Sequence, residues 1–187
     1  LQPKKTLNLT RWNEFLYKFK NPKYSLKIGL VGKYVELQDS YKSILESLIH
    51  AGAINETEIQ VISIHSEKLN DKNVATKLNT LDGVIVAPGF GERGIEGKIT
   101  AIAYARKHQI PFFGICLGMQ MAVIEYSRNT AGLSSANSIE MDENCKTPVI
   151  DLMESQKSVV NKGGTMRLGA WDCSLLENSL AHKAYGS

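Results

Sequence analysis

The sequence is short of cysteine and histidine, has no long apolar run and carries no excess of charge, and each shortage closes off a class of function. Its three cysteines, Cys116, Cys145 and Cys173, are odd in number and contain no C-x-x-C pair. That argues against a disulfide framework and a zinc site, and fits a reducing, cytoplasmic setting. No apolar stretch approaches the roughly 18 residues that a membrane-spanning helix needs. Lys and Arg total 22 against 19 Asp and Glu and are scattered along the chain, so no electrostatic case exists for nucleic acid or a membrane surface as partner. No signal-peptide pattern follows Leu1, and a chain that starts there reads as a piece of something longer. What remains is the composition of an ordinary globular domain, 43% hydrophobic and 22% charged, with enough residues for one good core.

The apolar pattern changes near residue 26. Before it, Trp12, Phe15, Leu16 and Phe19 recur at helical spacing in a basic, aromatic segment. This predicts a short amphipathic helix, either a linker that docks on a neighbour or a plain surface helix. After it come four apolar runs, 27–32, 59–64, 83–89 and 111–116, each bearing a glycine or a cysteine near its end except the second. Between them lie segments of helical period. Residues 39–52 place Tyr41, Ile44, Leu45, Leu48 and Ile49 on one face, with Asp39 or Ser40 as N-cap and Gly52 as stop. Residues 96–108 and 117–128 predict two further helices. Alternating strands and helices predict an α/β fold, an open, mostly parallel sheet with helices on both faces. In such sheets the binding crevice lies beyond the carboxyl ends of the strands.

The heptapeptide GICLGMQ, residues 114–120, sits at such an end. A cysteine between two glycines is by itself more often a small core hydrophobe than a nucleophile. Its place between an apolar strand and a helix reverses that balance. Unpaired N–H groups and the helix dipole favour a thiolate there, and Gly114 and Gly118 permit a tight turn. The N–H of Leu117 would face an oxyanion formed at Cys116. The loop VAPGFGERG, residues 86–94, is the candidate for a second donor, from Gly89, since Pro88 has no N–H.

These residues resemble the class I, triad-type glutamine amidotransferases, and within them the glutaminase domains of CTP synthases. The resemblance is carried by residues 31–52, 89–99, 111–129, 135–140 (SANSIE) and 163–170 (GGTMRLGA), which span nearly the whole chain. It implies a flavodoxin-like fold and a division into an interdomain linker helix, 1–25, and an amidotransferase domain, 26–187, lacking its C-terminal part. It also implies that Cys116 forms a glutamyl thioester, with Gly89 and Leu117 holding the oxyanion. Gly118, Met119, Gln120 and Glu140 would line the glutamine site, Glu140 facing the α-ammonium group. Read alone, Glu140 is a solvated loop acid and Gln120 a polar residue on an outward helix face. Phe90 and Arg93 would contact the activator GTP; alternatively Phe90 lines the glutamine pocket and Arg93 pairs with Glu92 or Glu96. The resemblance further implies a synthetase domain in the same polypeptide using ATP and Mg²⁺, a homotetramer, and no cofactor or metal in this domain.

Two departures stand out. The family's cysteine is assisted by a His and a Glu from a segment of the type H-R-x-E, and these 187 residues contain none. His50 is expected to end a helix, His65 to end a strand, His108 to lie on a polar helix face and His182 in a polar tail, none of them catalytic. The loop reads A-P-G-F-G where many relatives have P-G-G-F-G. The expectation is therefore a longer polypeptide supplying the missing pair, and a fragment that by itself labels at Cys116 without turnover. Residues 154–164 are read as a mobile lid or loop. The alternatives are another triad-type amidotransferase, such as a GMP synthase subunit, against which GGTMRLG argues, or a non-catalytic relative serving as an interaction module.

Overall fold

The computed structural model describes residues 7–157, 170 and 172–186. The chain divides into two compact units, Leu1–Asp151 and Leu152–Ser187. The first is built on a four-stranded parallel sheet of β1 (Tyr24–Gly32), β2 (Thr57–His65), β3 (Gly83–Val86) and β4 (Phe112–Gly114), in the order β2-β1-β3-β4. Helix α1 (Thr10–Lys20) precedes it. Between the strands run α2 (Lys42–Ile54), α3 (Val74–Leu78) and α4 (Ile95–Lys107), and α5 (Leu117–Asn129) follows β4. A short parallel pair, β5 (Ala136–Ser138) and β6 (Thr147–Ile150), closes the unit.

Side-chain alternation along the strands decides which helix lies on which face. Leu30, Val61 and Ile85 point to one side, where they pack with Tyr41, Ile44 and Leu45 of α2 and the turn before it. Val31, Ile64, Val84 and Val86 point to the other, against α3, α4 and α5 through Leu78, Ile95, Ile99, Ile102, Leu117, Met121 and Ile124. The chain leaves β1 toward β2 on one edge and returns to β3 on the other side of β1. Right-handed crossovers in opposite directions put their helices on opposite faces. The order reverses between β1 and β3, the place where sheets of this kind carry their binding crevice beyond the strand ends. Val31, Val86 and Gly114 are level in register, so β1, β3 and β4 deliver their loops to one place.

The helix around 39–52 differs from expectation at both ends. A 3₁₀ turn over Gln38–Tyr41 precedes α2, and neither Asp39 nor Ser40 caps it; the N-cap residue is Tyr41, with no side-chain cap. Gly52 does not stop the helix. It is buried inside the last turn because a Cβ there would come within 2.6 Å of the Thr57 carbonyl oxygen. Ile49 stays 40% exposed rather than joining the core. His50 lies within α2, where its ring meets Phe15 of α1 edge-on at 5.7 Å. Trp12 and Phe19 of α1 remain half-exposed, 55% and 49%.

In the second unit Glu154–Lys157 forms a short helix, α6, rather than a loop, while 158–164 lies outside the described residues, as does GGTMRLG. The polar tail contains a helix, α7 (Leu180–Tyr185), whose N-cap Ser179 accepts a hydrogen bond from the His182 N–H, so His182 is helical. No helix among the described residues is long and apolar enough to cross a membrane.

Candidate active site

Cys116 occupies the turn between β4 and α5 with φ 53° and ψ −110°, outside the ordinary regions for a residue with a side chain. The turn is tight on both flanks. A Cβ on Gly114 would meet the Gly118 carbonyl carbon at 2.6 Å, and one on Gly118 would lie 2.1 Å from the Val86 carbonyl oxygen. Glycine at both positions is thus a condition of the elbow. The Cys116 carbonyl accepts from Met119 and Gln120 N–H at 3.0 and 3.1 Å, and Gly118 N–H is taken by Ile115 O. The N–H of Leu117 has no partner among the described residues, and Cys116 itself is exposed. A thiol at a helix start beside an unpaired donor is the arrangement that nucleophilic acyl chemistry uses.

The loop after β3 closes the other side. Gly89 lies against the elbow: a Cβ there would be 3.6 Å from Leu117 Cδ2 and 3.7 Å from Lys98 Nζ. Its N–H has no partner either among the described residues. Two lysines that the sequence reading passed over hold this loop from below. Lys33, directly after β1 and 6% exposed, donates from Nζ to the carbonyls of Phe90 and Gly91, the latter at 3.0 Å. Lys98, on α4 and fully buried, donates to the Ala87 carbonyl at 2.7 Å. Burial lowers the Lys33 pKa, helped by Arg93 and opposed by Glu67 and Glu140. Burial also pushes Lys98 down to about 8, helped by Lys33 and opposed by Cys116. The Tyr41 hydroxyl accepts from the Lys33 N–H at 3.2 Å, tying α2 to the same strand end.

Glu140, just beyond β5, reaches the loop with Oε1 3.4 Å from the Gly91 N–H, and its side chain is solvated. Met119 is exposed and Gln120 half-buried on the first turn of α5. Phe90 projects outward, 71% exposed. Arg93 pairs with neither Glu92 nor Glu96. It meets Glu67 at 3.0 Å and lies over the Tyr34 ring at 5.9 Å, while Glu96 is held by Arg128. The structure thus sets Gly89 against Leu117 of the Cys116–Gly118 elbow and brings Glu140 to Gly91 of the same loop. Among the histidines, His65 ends β2 with a buried Nδ1 that lacks a partner. His108 follows α4, stacked on Tyr104 at 3.9 Å with Nδ1 2.9 Å from the Tyr104 carbonyl.

The sequence did contain a signal for Lys98. It shares the spacing i, i+3, i+4, i+7 with Ile95, Ile99 and Ile102, so helical periodicity alone puts it on the core face. Lys33 had no such signal, because a lysine after a strand is usually solvated.

The family model for class-I glutamine amidotransferases matches residues 36–185. The chain is 66% identical over 186 residues to a CTP synthase of Flavobacterium psychrophilum, covering 100% of this chain and 35% of that protein. It is 53% identical over 190 residues to a CTP synthase of Methanocaldococcus jannaschii, with 98% and 35% covered. The chain therefore spans about a third of the length of the curated relatives it matches. Among solved structures, the Trypanosoma brucei CTPS glutaminase domain with bound acivicin is 38% identical, with a TM-score of 0.65 over 69% of this chain and 50% of that one.

Proposed function

The chain belongs to the class-I glutamine amidotransferase family, and on that premise we propose that it is the glutamine-hydrolysing part of a CTP synthase. The observation that carries this reading is Cys116, held at φ 53° at the start of α5, with Gly89 set against Leu117 and the N–H groups of both without partners among the described residues. The Cys116 thiolate attacks the side-chain carboxamide carbon of glutamine, and Gly89 and Leu117 stabilise the oxyanion. Ammonia leaves, and water then cleaves the thioester to glutamate. Gly118, Met119 and Gln120 line the substrate, and Glu140 sits where a carboxylate can face an α-ammonium group. The proton for ammonia and the base for water are assigned to a His–Glu pair of the H-R-x-E type, absent from these 187 residues.

The ammonia produced is delivered to UTP, activated with ATP and Mg²⁺ by a synthetase domain of the same polypeptide, with α1 as the linker between the two. On this reading the enzyme is a cytoplasmic homotetramer, and Phe90 and Arg93 contact the activator GTP. Arg93→Ala should then weaken the GTP response while ammonia-dependent CTP formation persists.

The test of the whole reading uses the intact polypeptide that carries this chain. Wild type should release glutamate from glutamine and form CTP from UTP, ATP and either glutamine or ammonium. Cys116→Ala should lose glutamate release and glutamine-dependent CTP while keeping the ammonium-dependent reaction. Glutamate release that survives the substitution would sink the proposal.

A further inference from the structure

Lys98 heads the fully buried side chains by volume among the described residues, at 0% exposure. It occupies a position on α4 flanked by Ile95, Ile99 and Ile102, where helical periodicity calls for an apolar residue. An ammonium buried among isoleucines is costly unless something binds it. What binds it is the carbonyl of Ala87, the residue directly before Pro88 and Gly89. Pro88 has no N–H to give and the Ala87 N–H is already donated to the Val31 carbonyl, so this carbonyl is the second point at which residue 87 is held. The same ammonium lies 3.7 Å from where a Cβ would project on Gly89, the glycine that faces Leu117 of the elbow. It is also within electrostatic reach of Cys116.

We infer that Lys98 is a positioning residue for the chemistry of Cys116: its buried ammonium fixes residues 87–89 opposite the elbow and places a positive charge beside the thiolate. Its effect on turnover rests on the glutaminase reading above; its effect on the thiol does not. The pKa of about 8 leaves it charged at neutral pH, where the thiolate must form. The groups that act on it are Lys33, after β1, and Cys116, before α5. Arg93, Glu67 and Glu140 act in turn on Lys33. Of the charges on the elements packed around α4, Lys77 of α3 is exposed to solvent and others have partners. Glu125 is held by Arg106 and Asn129, Arg128 by Glu96, and Lys68 by Glu36.

The test is alkylation of Cys116 by iodoacetamide, resolved by peptide mass spectrometry in the intact polypeptide from about pH 5 to about pH 9.5. Lys98→Met keeps the length and volume of the side chain without charge or donor; Lys98→Gln restores a donor without the charge. At pH 7, Cys116 in Lys98→Met should react about tenfold more slowly, with Cys145 and Cys173 unchanged. Lys98→Gln should slow Cys116 labelling similarly but keep more of kcat. In glutamate release, kcat should fall about tenfold or more in Lys98→Met, with KM within about twofold. An unchanged Cys116 labelling rate at pH 7 in whichever variant keeps the wild-type melting curve overturns the inference. So does slower labelling of all three cysteines together, which marks a structural role. Should wild type release no glutamate, the glutaminase reading fails while the alkylation profile still decides the role of Lys98.

Discussion

Cys116 carries a Cβ in a backbone conformation that costs such a residue about 1–3 kcal/mol, and glycine would carry none of that cost. Cys116→Gly should therefore be more stable than Cys116→Ala by about 1 kcal/mol in denaturant unfolding, although both lose the thiol. The reverse order would show that the elbow is not strained. Gly118 sets the opposite condition. Adding a Cβ places a carbon 2.1 Å from a backbone oxygen of β3, which cannot swing aside as a side chain could. Gly118→Ala should cost about 2 kcal/mol of stability and lower kcat by about a hundredfold, read by denaturation and glutamate release. Lys98 adds a pH dependence to stability. Its pKa falls from 10.5 in the unfolded chain to about 8 in the fold, so between these values the unfolded chain binds more protons. Stability due to this group therefore rises with pH across that window and is flat below it. Wild type should gain on Lys98→Met by up to about 1 kcal/mol per pH unit between pH 8 and 10.5. A constant difference in melting free energy across that window would contradict the burial of its charge. The cysteine and its glycines could be read from the sequence because spacing and residue type suffice to mark an elbow. Helical spacing marks Lys98 as core-facing, but which carbonyls Lys98 and Lys33 hold depends on the fold.

The helices α4 and α5 lie side by side and bear the loop and the elbow at their N-terminal ends. Near their other ends they are joined by Glu125, 1% exposed, which accepts from Arg106 at 2.8 to 3.1 Å and from Asn129 at 3.0 Å. The contact raises the Arg106 pKa, chiefly through the hydrogen bond. Removing one partner of such a pair leaves donors facing a buried, unmatched group. Glu125→Gln should cost about 2–4 kcal/mol in urea unfolding, and the double change Arg106→Met with Glu125→Met should recover at least half of it. Failure of the double variant to recover would place the cost in packing rather than in charge. At this scale the strands 27–32 and 59–64 and the helices over 96–108 and 117–128 were legible within a residue or two at most ends, because each has a strong period. The five-residue α3 and the three-residue β5 were not. Elements that short contain too few periods to stand out, and tertiary contacts alone hold them.

The whole first unit brings three loops to one side of a single parallel sheet. The strand order β2-β1-β3-β4 puts the switch point between β1 and β3, so Lys33 and the 87–94 loop face each other across it and β4 adds the elbow. The histidines fall elsewhere in role. His50 packs on Phe15, and His108 is occupied with Tyr104. His50→Gln and His108→Gln should leave glutamate release by the intact polypeptide within about twofold of wild type. A hundredfold loss in either would make that histidine the general base and overturn the assignment to an H-R-x-E pair.

By itself the sequence determined the α/β class, the glycine-flanked turn at Cys116 and the absence of an H-R-x-E segment within these residues. Each rests on local spacing, on what a glycine or proline permits, or on a residue type being present at all. Only the tertiary structure decided that Arg93 turns to Glu67 and Tyr34 rather than to its helix neighbours, and that Glu140 crosses to Gly91. It alone made Lys33 and Lys98 the supports of the loop between them. Apart from Lys98 and Ala87, 11 positions apart, those contacts join residues 26 to 59 positions apart, as with Arg93 and Glu67 or Arg93 and Tyr34. No periodicity records such a distance, because the order in which the strands pair sets it.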